Sequence, residues 1–289
     1  TKYLSTSPLP RSNTTQPGLY MTGAGSSASV LGQPDLGLMT LNDMLTNARM
    51  IASLDRTVPL IADADTGYGS PLMVARTVQS YMAAGVAGLH LEDQVVNKRC
   101  GHLANKELVD EDVWFARIRA AVLARTEYQE DVGGGDVVII ARTDALQSLG
   151  YAEAVRRLKG AVELGADVAF LEGVTSVEMG RRVVEDLAPT PCLLNMVPGG
   201  VTPDMSVREA QEVGFRVMIY PCFALEPVYH GVTRAARELK SQRYIRNGEE
   251  GCKGVKEIFR VCGLDGCMEF DVKAGGTSYG KGFDEHVQR

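Results

Sequence analysis

The densest chemistry in the sequence is acidic. Asp63-Ala64-Asp65 sets two carboxylates two residues apart, on one face of the chain if the backbone there stays extended. They stand just before Thr66-Gly67-Tyr68-Gly69, a flexible connection. Glu92-Asp93 closes the next β-rich run, and Asp35 lies in the earlier loop Gly32-Gln33-Pro34-Asp35. Carboxylates gathered at one place repel one another unless a cation sits among them. An all-oxygen donor set suits Mg2+, with Mn2+ as the alternative, rather than zinc. Taken singly, each acid reads as a helix cap or a solvated loop charge. Four acids on three successive segments favour a metal.

A second cluster is Lys98-Arg99-Cys100-Gly101-His102. Cationic neighbours and an adjacent imidazole favour a thiolate, which makes Cys100 a candidate proton donor or acceptor. The same residues read equally as a surface loop with an incidental cysteine. Arg142, followed by Thr143 and Asp144, has the geometry to clamp a carboxylate with two parallel hydrogen bonds. A salt bridge to a neighbouring acid is the equal alternative. His90 sits in an apolar run and reads as a core histidine, while Trp114 and the methionines read as packing. The other five cysteines read as structural thiols.

These groups need elements to bring them together. Seven β-rich runs alternate with helical patterns: Leu19–Thr22, Leu60–Ala62, Gly88–Glu92, Val137–Arg142, Val168–Glu172, Leu193–Met196 and Val217–Tyr220. Several are nearly continuous apolar runs, as in strands buried on both faces of a parallel sheet. Helix start signals stand between them at Thr40 with Asp43, Ser70-Pro71, Asp110, Gly150, Ser176 and Ser206; Gly85 and Gly165 supply stops. Repeated βα units mean a doubly wound sheet or a (β/α)8 barrel. Asp63, Asp65, Glu92, Arg142, Glu172 and Asn195 all fall at strand ends, and a barrel gathers its strand ends around one mouth. No GxGxxG follows the first strand, which weakens the dinucleotide-binding alternative. The sequence therefore predicts a TIM-type barrel over residues 17–240, one strand short of eight. Residues 1–16 form an atypical polar segment, and 241–289 a C-terminal helical extension and tail.

Composition sets outer bounds. The 289 residues are 45% hydrophobic and 23% charged, with a formal net charge of −6, which argues against nucleic-acid binding or a basic membrane surface. No run of about 18 apolar residues occurs, and the first residues lack the apolar core of a secretory signal. Six cysteines without a CxxC pair read as thiols. The Asn13-Thr14-Thr15 sequon reads as chance. The expectation is a soluble chain of the cytoplasm, with the mitochondrion as the alternative compartment.

In combination, IADADTGYG, HLEDQ, NKRCGHL, IARTDA, FLEG and LLNM, with GG and TP following, resemble the isocitrate lyase and phosphoenolpyruvate mutase superfamily. The resemblance runs from about Tyr20 to Tyr220. It is nearest to the fungal-type 2,3-dimethylmalate lyases and oxaloacetate hydrolases, with methylisocitrate lyases a step further away. It implies that Asp63 and Asp65 hold Mg2+, directly or through water, with Asp35 and Glu92 in support. It further implies that Tyr20, Thr22, Gly23 and Ala24 cradle a substrate carboxylate, that Arg142 clamps one, and that Glu172, Asn195 and Thr202 line the pocket. Lys98, Arg99, Cys100 and His102 match a mobile loop that closes over the substrate, with Cys100 as acid/base. The family fold is a (β/α)8 barrel whose C-terminal helix is exchanged between subunits of a homotetramer.

The resemblance thus implies a Mg2+-dependent lyase that breaks the C2–C3 bond of a small di- or tricarboxylate of the 2,3-dimethylmalate or 2-methylisocitrate type. The products would be a 2-oxo acid and a second carboxylate. Within the family, oxaloacetate hydrolases tend to carry a serine after the TP-region threonine; here Pro203 follows Thr202, which tilts toward the lyase. Two departures matter. The family's first βα unit has no counterpart in residues 1–16, and Pro198 stands where relatives usually have Glu. Oxaloacetate hydrolysis to oxalate and acetate, and a catalytically impaired homologue, are the competing readings.

Overall fold

Each of the seven apolar runs becomes a strand, and each but the last pairs in parallel with the run that follows it. The computed structural model describes residues 18–101, 103, 105–244 and 254–277. The strands are β1 (Leu19–Met21), β2 (Leu60–Asp63), β3 (Gly88–Glu92), β4 (Val138–Thr143), β5 (Val168–Leu171), β6 (Cys192–Asn195) and β7 (Val217–Ile219). Their order in the sheet is the order in the chain. They form a nearly closed barrel of seven parallel strands, one short of eight among the described residues, as the sequence predicts. Residues 1–16 and His102 lie outside the described residues.

Helices form where the sequence supplies caps and an apolar face. Short α1 (Gly23–Ser26) starts at Thr22, whose hydroxyl accepts from the Gly25 N–H at 3.3 Å, and continues into one wide turn, Ser27–Leu31. In front of α2 (Leu41–Leu54) the Thr40 hydroxyl accepts from the Asp43 N–H while the Asp43 carboxylate accepts from the Thr40 N–H, a reciprocal capping box. Helix α3 (Pro71–Ala83) opens on proline, which has no N–H to leave unsatisfied. Ser70 before α3 and Asp110 before α4 (Glu111–Val132) stand at the predicted cap positions, yet their side chains make no cap hydrogen bond. Then come α5 (Ala145–Leu149), α6 (Tyr151–Glu163), α7 (Val177–Asp186) and α8 (Val207–Val213), with Ser176 and Ser206 capping the last two. Gly85 and Gly165 adopt positive φ just after α3 and α6, turning the chain into the next strand.

Strand alternation makes two cores. One face of the strands packs against the helices, in a large layer that includes Leu60, Ala62, Leu89, Leu91, Trp114, Ile139 and Leu194. The other face fills the barrel interior with Ile140, Val168, Phe170, Leu193 and Ile219, joined by Tyr20, Ile61 and Val217. Two residues beyond this inner layer, on the same face, stand Asp63, Arg142, Glu172 and Asn195. The polar mouth is thus a direct result of period-two alternation on strands that end together.

Contacts divide the chain into two units, Thr15–Val228 and one that begins at Tyr229. Helix α9 (Leu225–Gln242) runs from the first into the second, which also holds α10 (Val255–Val261) and α11 (Leu264–Lys273). No residue of these three helices is buried. Among the described residues no helix is long and apolar enough to cross a membrane.

Candidate active site

The strand ends put a ring of charge at the barrel mouth. Asp63, at the end of β2, accepts from the Gly23 N–H at 3.0 Å and from the Asp65 N–H at 2.9 Å. Asp63 is in register with His90 on β3, whose Nδ1 stands 3.5 Å from its carboxylate. The other His90 nitrogen, Nε2, is 2.8 Å from the Tyr20 hydroxyl. Burial pushes the Tyr20 phenol well up and the His90 imidazole down, the latter against the pull of Asp63. A protonated phenol that donates to Nε2 leaves the imidazole proton on Nδ1, facing Asp63. His90 is therefore core, as the sequence predicts, and also a link between Tyr20 and Asp63.

Asp65 departs from extended geometry. Its φ is +47°, so β2 ends at Asp63 and the two carboxylates do not share a face by alternation. The left-handed turn is held by the Asp65 N–H on Asp63 and by the Glu92 N–H on the Asp65 carbonyl at 2.9 Å. The Asp65 carboxylate meets the Lys98 ammonium at 2.6 Å, and Lys98 also reaches Asp35 at 2.6 Å. Lys98 is 3% exposed and Asp65 4%, so this pair is withdrawn from water.

Burial works on each of these groups. It pushes the Asp65 carboxyl up to about 6, with Asp63 and Asp35 adding to the rise and Lys98 opposing it. For Asp63 burial also acts upward, but His90, Lys98, Arg142 and the Asp65 N–H outweigh it and bring the carboxyl down to about 2. Lys98 stays an ammonium: burial disfavours its charge, and the surrounding acids more than compensate.

The other half of the ring centres on Arg142, whose register partner on β3 is Glu92. Its guanidinium lies 3.1 Å from Glu92, 3.5 Å from Glu172, and donates twice to Asp144 at 2.9 and 3.1 Å. Of the two readings the sequence leaves open for Arg142, the salt bridges are present. The Asn195 amide donates to Glu172 at 3.0 Å. Thr202 is buried on the loop after β6.

The Lys98–Gly101 segment lies across this ring. Its approach is pinned by a bridge between Gln94 and Leu108, and Gln94 also holds the Arg99 backbone at 3.0 and 2.9 Å. The Arg99 side chain itself is exposed. The Cys100 N–H donates to the Asp35 carbonyl at 3.2 Å. A Cβ on Gly101 would stand 2.6 Å from the Arg142 guanidinium and 2.8 Å from the Glu172 carboxyl carbon, so only glycine seats this deeply. Cys100 is half-buried beside it.

Sequence reasoning missed the supports of this segment. Lys106 donates to the Gly101 carbonyl and to Asp144, both at 2.7 Å. Asp93 accepts from the Thr143 hydroxyl, the Asp144 N–H and Arg157, and so fixes the turn that carries Asp144. Asp93 and Asp144 were visible as neighbours of Glu92 and Arg142; Lys106 and Arg157 carried no signal.

The donors fit a hard divalent ion in kind: Asp63, Asp65, Asp35 and Glu92 offer only oxygen. A Cβ on Gly23 would fall 2.6 Å from the Asp63 carboxylate and 3.2 Å from that of Asp65, so glycine keeps this space open. Among the described residues no three acidic, histidine or cysteine donors converge on one point. The carboxylates are instead drawn to Lys98 and Arg142.

The phosphoenolpyruvate phosphomutase family matches residues 10–240. A 2,3-dimethylmalate lyase from Eubacterium barkeri is 43% identical over 203 residues, covering 70% of this chain and 67% of the relative. Among solved structures, a 2,3-dimethylmalate lyase described as a PEP mutase/isocitrate lyase superfamily member superposes with a TM-score of 0.87 at 53% identity, over 92% of this chain and 86% of that one. An oxaloacetate acetylhydrolase in complex with 3,3-difluorooxalacetate gives 0.84 at 50% identity, over 90% and 86%. A phosphonopyruvate hydrolase complexed with oxalate and Mg2+ gives 0.75 at 28% identity, over 89% and 86%.

Proposed function

The chain belongs to the phosphoenolpyruvate mutase/isocitrate lyase superfamily, and from that premise we propose that it is a Mg2+-dependent carbon–carbon lyase acting on a 2-hydroxy dicarboxylate of the 2,3-dimethylmalate type. The observation that carries this reading is the seat of Cys100-Gly101 against Arg142 and Glu172, beside a buried ring of acids. Asp63 and Asp65, with Asp35 and Glu92 behind them, would hold the divalent ion. When bound, that ion supplies positive charge against the oxygens of the substrate.

The chain's own residues supply the rest. The turn Thr22-Gly23-Ala24, its Gly23 N–H given to Asp63, would border the substrate carboxylate, with Tyr20, held by His90, beside it. Arg142 can pair with the second carboxylate by exchanging one of its present partners. A carboxylate of the acid ring takes the proton of the substrate hydroxyl, that oxygen becomes the carbonyl of the 2-oxo acid as the C2–C3 bond breaks, and the electron pair of the broken bond moves to C3. The Cys100 thiol delivers a proton to C3 and completes the second carboxylate product. The 98–101 segment keeps water from that carbon. His102, assigned with Cys100 on resemblance, lies outside the described residues.

Oxaloacetate hydrolysis is the second reading, favoured by the 50% identity to an oxaloacetate acetylhydrolase and opposed by Pro203, which has no side-chain donor. Proton NMR of products separates them. Offered 2,3-dimethylmalate, 2-methylisocitrate and oxaloacetate, each with Mg2+ and with EDTA, the protein is expected to release propionate and pyruvate from the first, only without EDTA. Acetate and oxalate from oxaloacetate would transfer the assignment. No turnover of any of the three by folded protein would favour an impaired homologue.

The assembly we infer is a homotetramer in which C-terminal helices pack on a neighbouring copy. Val228, Tyr229 and Val232 on α9 and Phe270 on α11 are each more than half exposed, the apolar surface that such packing would cover.

A further inference from the structure

We propose that Lys98 is a tethered counter-cation that competes with the divalent ion for Asp65 and Asp35, so that metal binding displaces the Lys98 side chain and loosens the Cys100 segment. The inference rests on the reading that this ring takes a divalent cation.

Three observations carry it. The Lys98 ammonium touches both carboxylates at 2.6 Å and is almost fully buried, so it neutralises this part of the ring from inside. The donors do not converge on a point while it is there, and the other acids have their own cations: Glu92, Glu172 and Asp144 face Arg142, and Asp144 also faces Lys106. Finally, Gly23 leaves open the space beside the paired acids, where an added Cβ would fall 2.6 Å from the Asp63 carboxylate and 3.2 Å from that of Asp65.

The coupling is electrostatic and mechanical. A divalent ion on Asp65 would face an ammonium across one carboxylate, in a site with little water to screen the repulsion. Lys98 relieves this by leaving. It is two residues from Cys100, and Asp35 holds both the Lys98 side chain and the Cys100 N–H. Withdrawal of Lys98 removes one of these two ties. By reciprocity, whatever holds Lys98 in place weakens metal binding by the same factor.

Mn2+ is the probe. Free Mn2+, followed by electron paramagnetic resonance, gives its Kd for the wild type and for Lys98→Met, which keeps the length of the side chain and removes its charge. The expectation is binding tighter by about tenfold or more in Lys98→Met, within the usual range of site-to-site coupling. A second measurement needs only the wild type: the rate of Cys100 alkylation by iodoacetamide, read by peptide mass spectrometry, is expected to rise several-fold when Mn2+ is added without substrate. Equal or weaker Mn2+ binding by Lys98→Met, or a Cys100 rate that is flat or falls with Mn2+, overturns the competition and makes Lys98 a partner of the metal. Folded wild type that binds no Mn2+ overturns the metal reading itself, and this inference with it.

Discussion

At the scale of single residues, the site depends on a few atoms with no room to move. Gly101 is the clearest case. An added methyl would meet Arg142 and Glu172 inside van der Waals distance, neither of which can yield without breaking an ion pair. Gly101→Ala is expected to displace Cys100 by part of an ångström and to lower kcat about 10²-fold, while the circular dichroism spectrum and melting temperature stay near those of the wild type. Cys100→Ala removes the proposed proton donor. Turnover is expected to fall by roughly 10²–10⁴-fold, with Mn2+ binding retained; loss of metal binding in that variant would show that the thiol has another role. Arg142 is a different kind of residue, since Glu92, Glu172 and Asp144 all lean on it. Arg142→Met leaves buried carboxylates without their cation and is expected to cost about 3–5 kcal/mol in urea unfolding, as well as activity. His90 shows the limit of a residue-by-residue reading: an apolar run correctly marks it as core, but its bonds to Tyr20 and its approach to Asp63 come from strands 70 and 27 residues away in sequence.

At the scale of elements, local signals and local structure agree closely. Seven runs read as strands are strands, with ends shifted by no more than a residue or so. The Thr40/Asp43 and Ser206 caps form as their spacing predicts. Thr40→Ala is expected to cost about 1 kcal/mol at pH 7, measured by urea unfolding. The Thr40 hydroxyl and N–H hold the Asp43 carboxyl below its ordinary range, so its stabilisation is complete above the unfolded value of about 3.9 and is lost as pH falls through the folded value. The difference between wild type and Thr40→Ala should therefore shrink below about pH 4; a difference that grows in acid would place the effect elsewhere. The element that local reasoning does not reach is the end of β2. Asp65 leaves the strand at a positive φ, a conformation that aspartate tolerates but nothing in Asp-Ala-Asp requires.

At the scale of the whole molecule, the barrel acts as a converter of sequence period into site geometry. Because the strands are parallel and run in chain order, every inward residue two positions past the apolar inner layer arrives at one mouth. The exposed apolar residues of α9 and α11 call for a covering surface. Sedimentation velocity is expected to give a tetramer for the full chain, and Val232→Glu on α9 to shift it toward smaller species; a monomer at micromolar concentration would remove the helix-exchange proposal. Chelation is expected to abolish turnover without dissociating that assembly, since the acid ring lies within the barrel unit.

By itself the sequence determined the strand count, the parallel order and the identity of the charged residues at the strand ends. Each of these follows from short-range information: apolar period, caps, glycine stops and motif spacing. The acids stood out as candidates by their grouping at strand ends, and Cys100 by its cationic neighbours together with the resemblance to the family. Only the tertiary structure decided which charges meet. Lys98 closes on Asp65 and Asp35, Lys106 on Gly101 and Asp144, and Arg157 on Asp93. Apart from Lys106 on Gly101, those pairings join segments far apart in the chain. A lysine or arginine looks the same in sequence whether it is solvated or buried against a carboxylate. The energy that selects the partner comes from burial, and burial is a property of the assembled barrel.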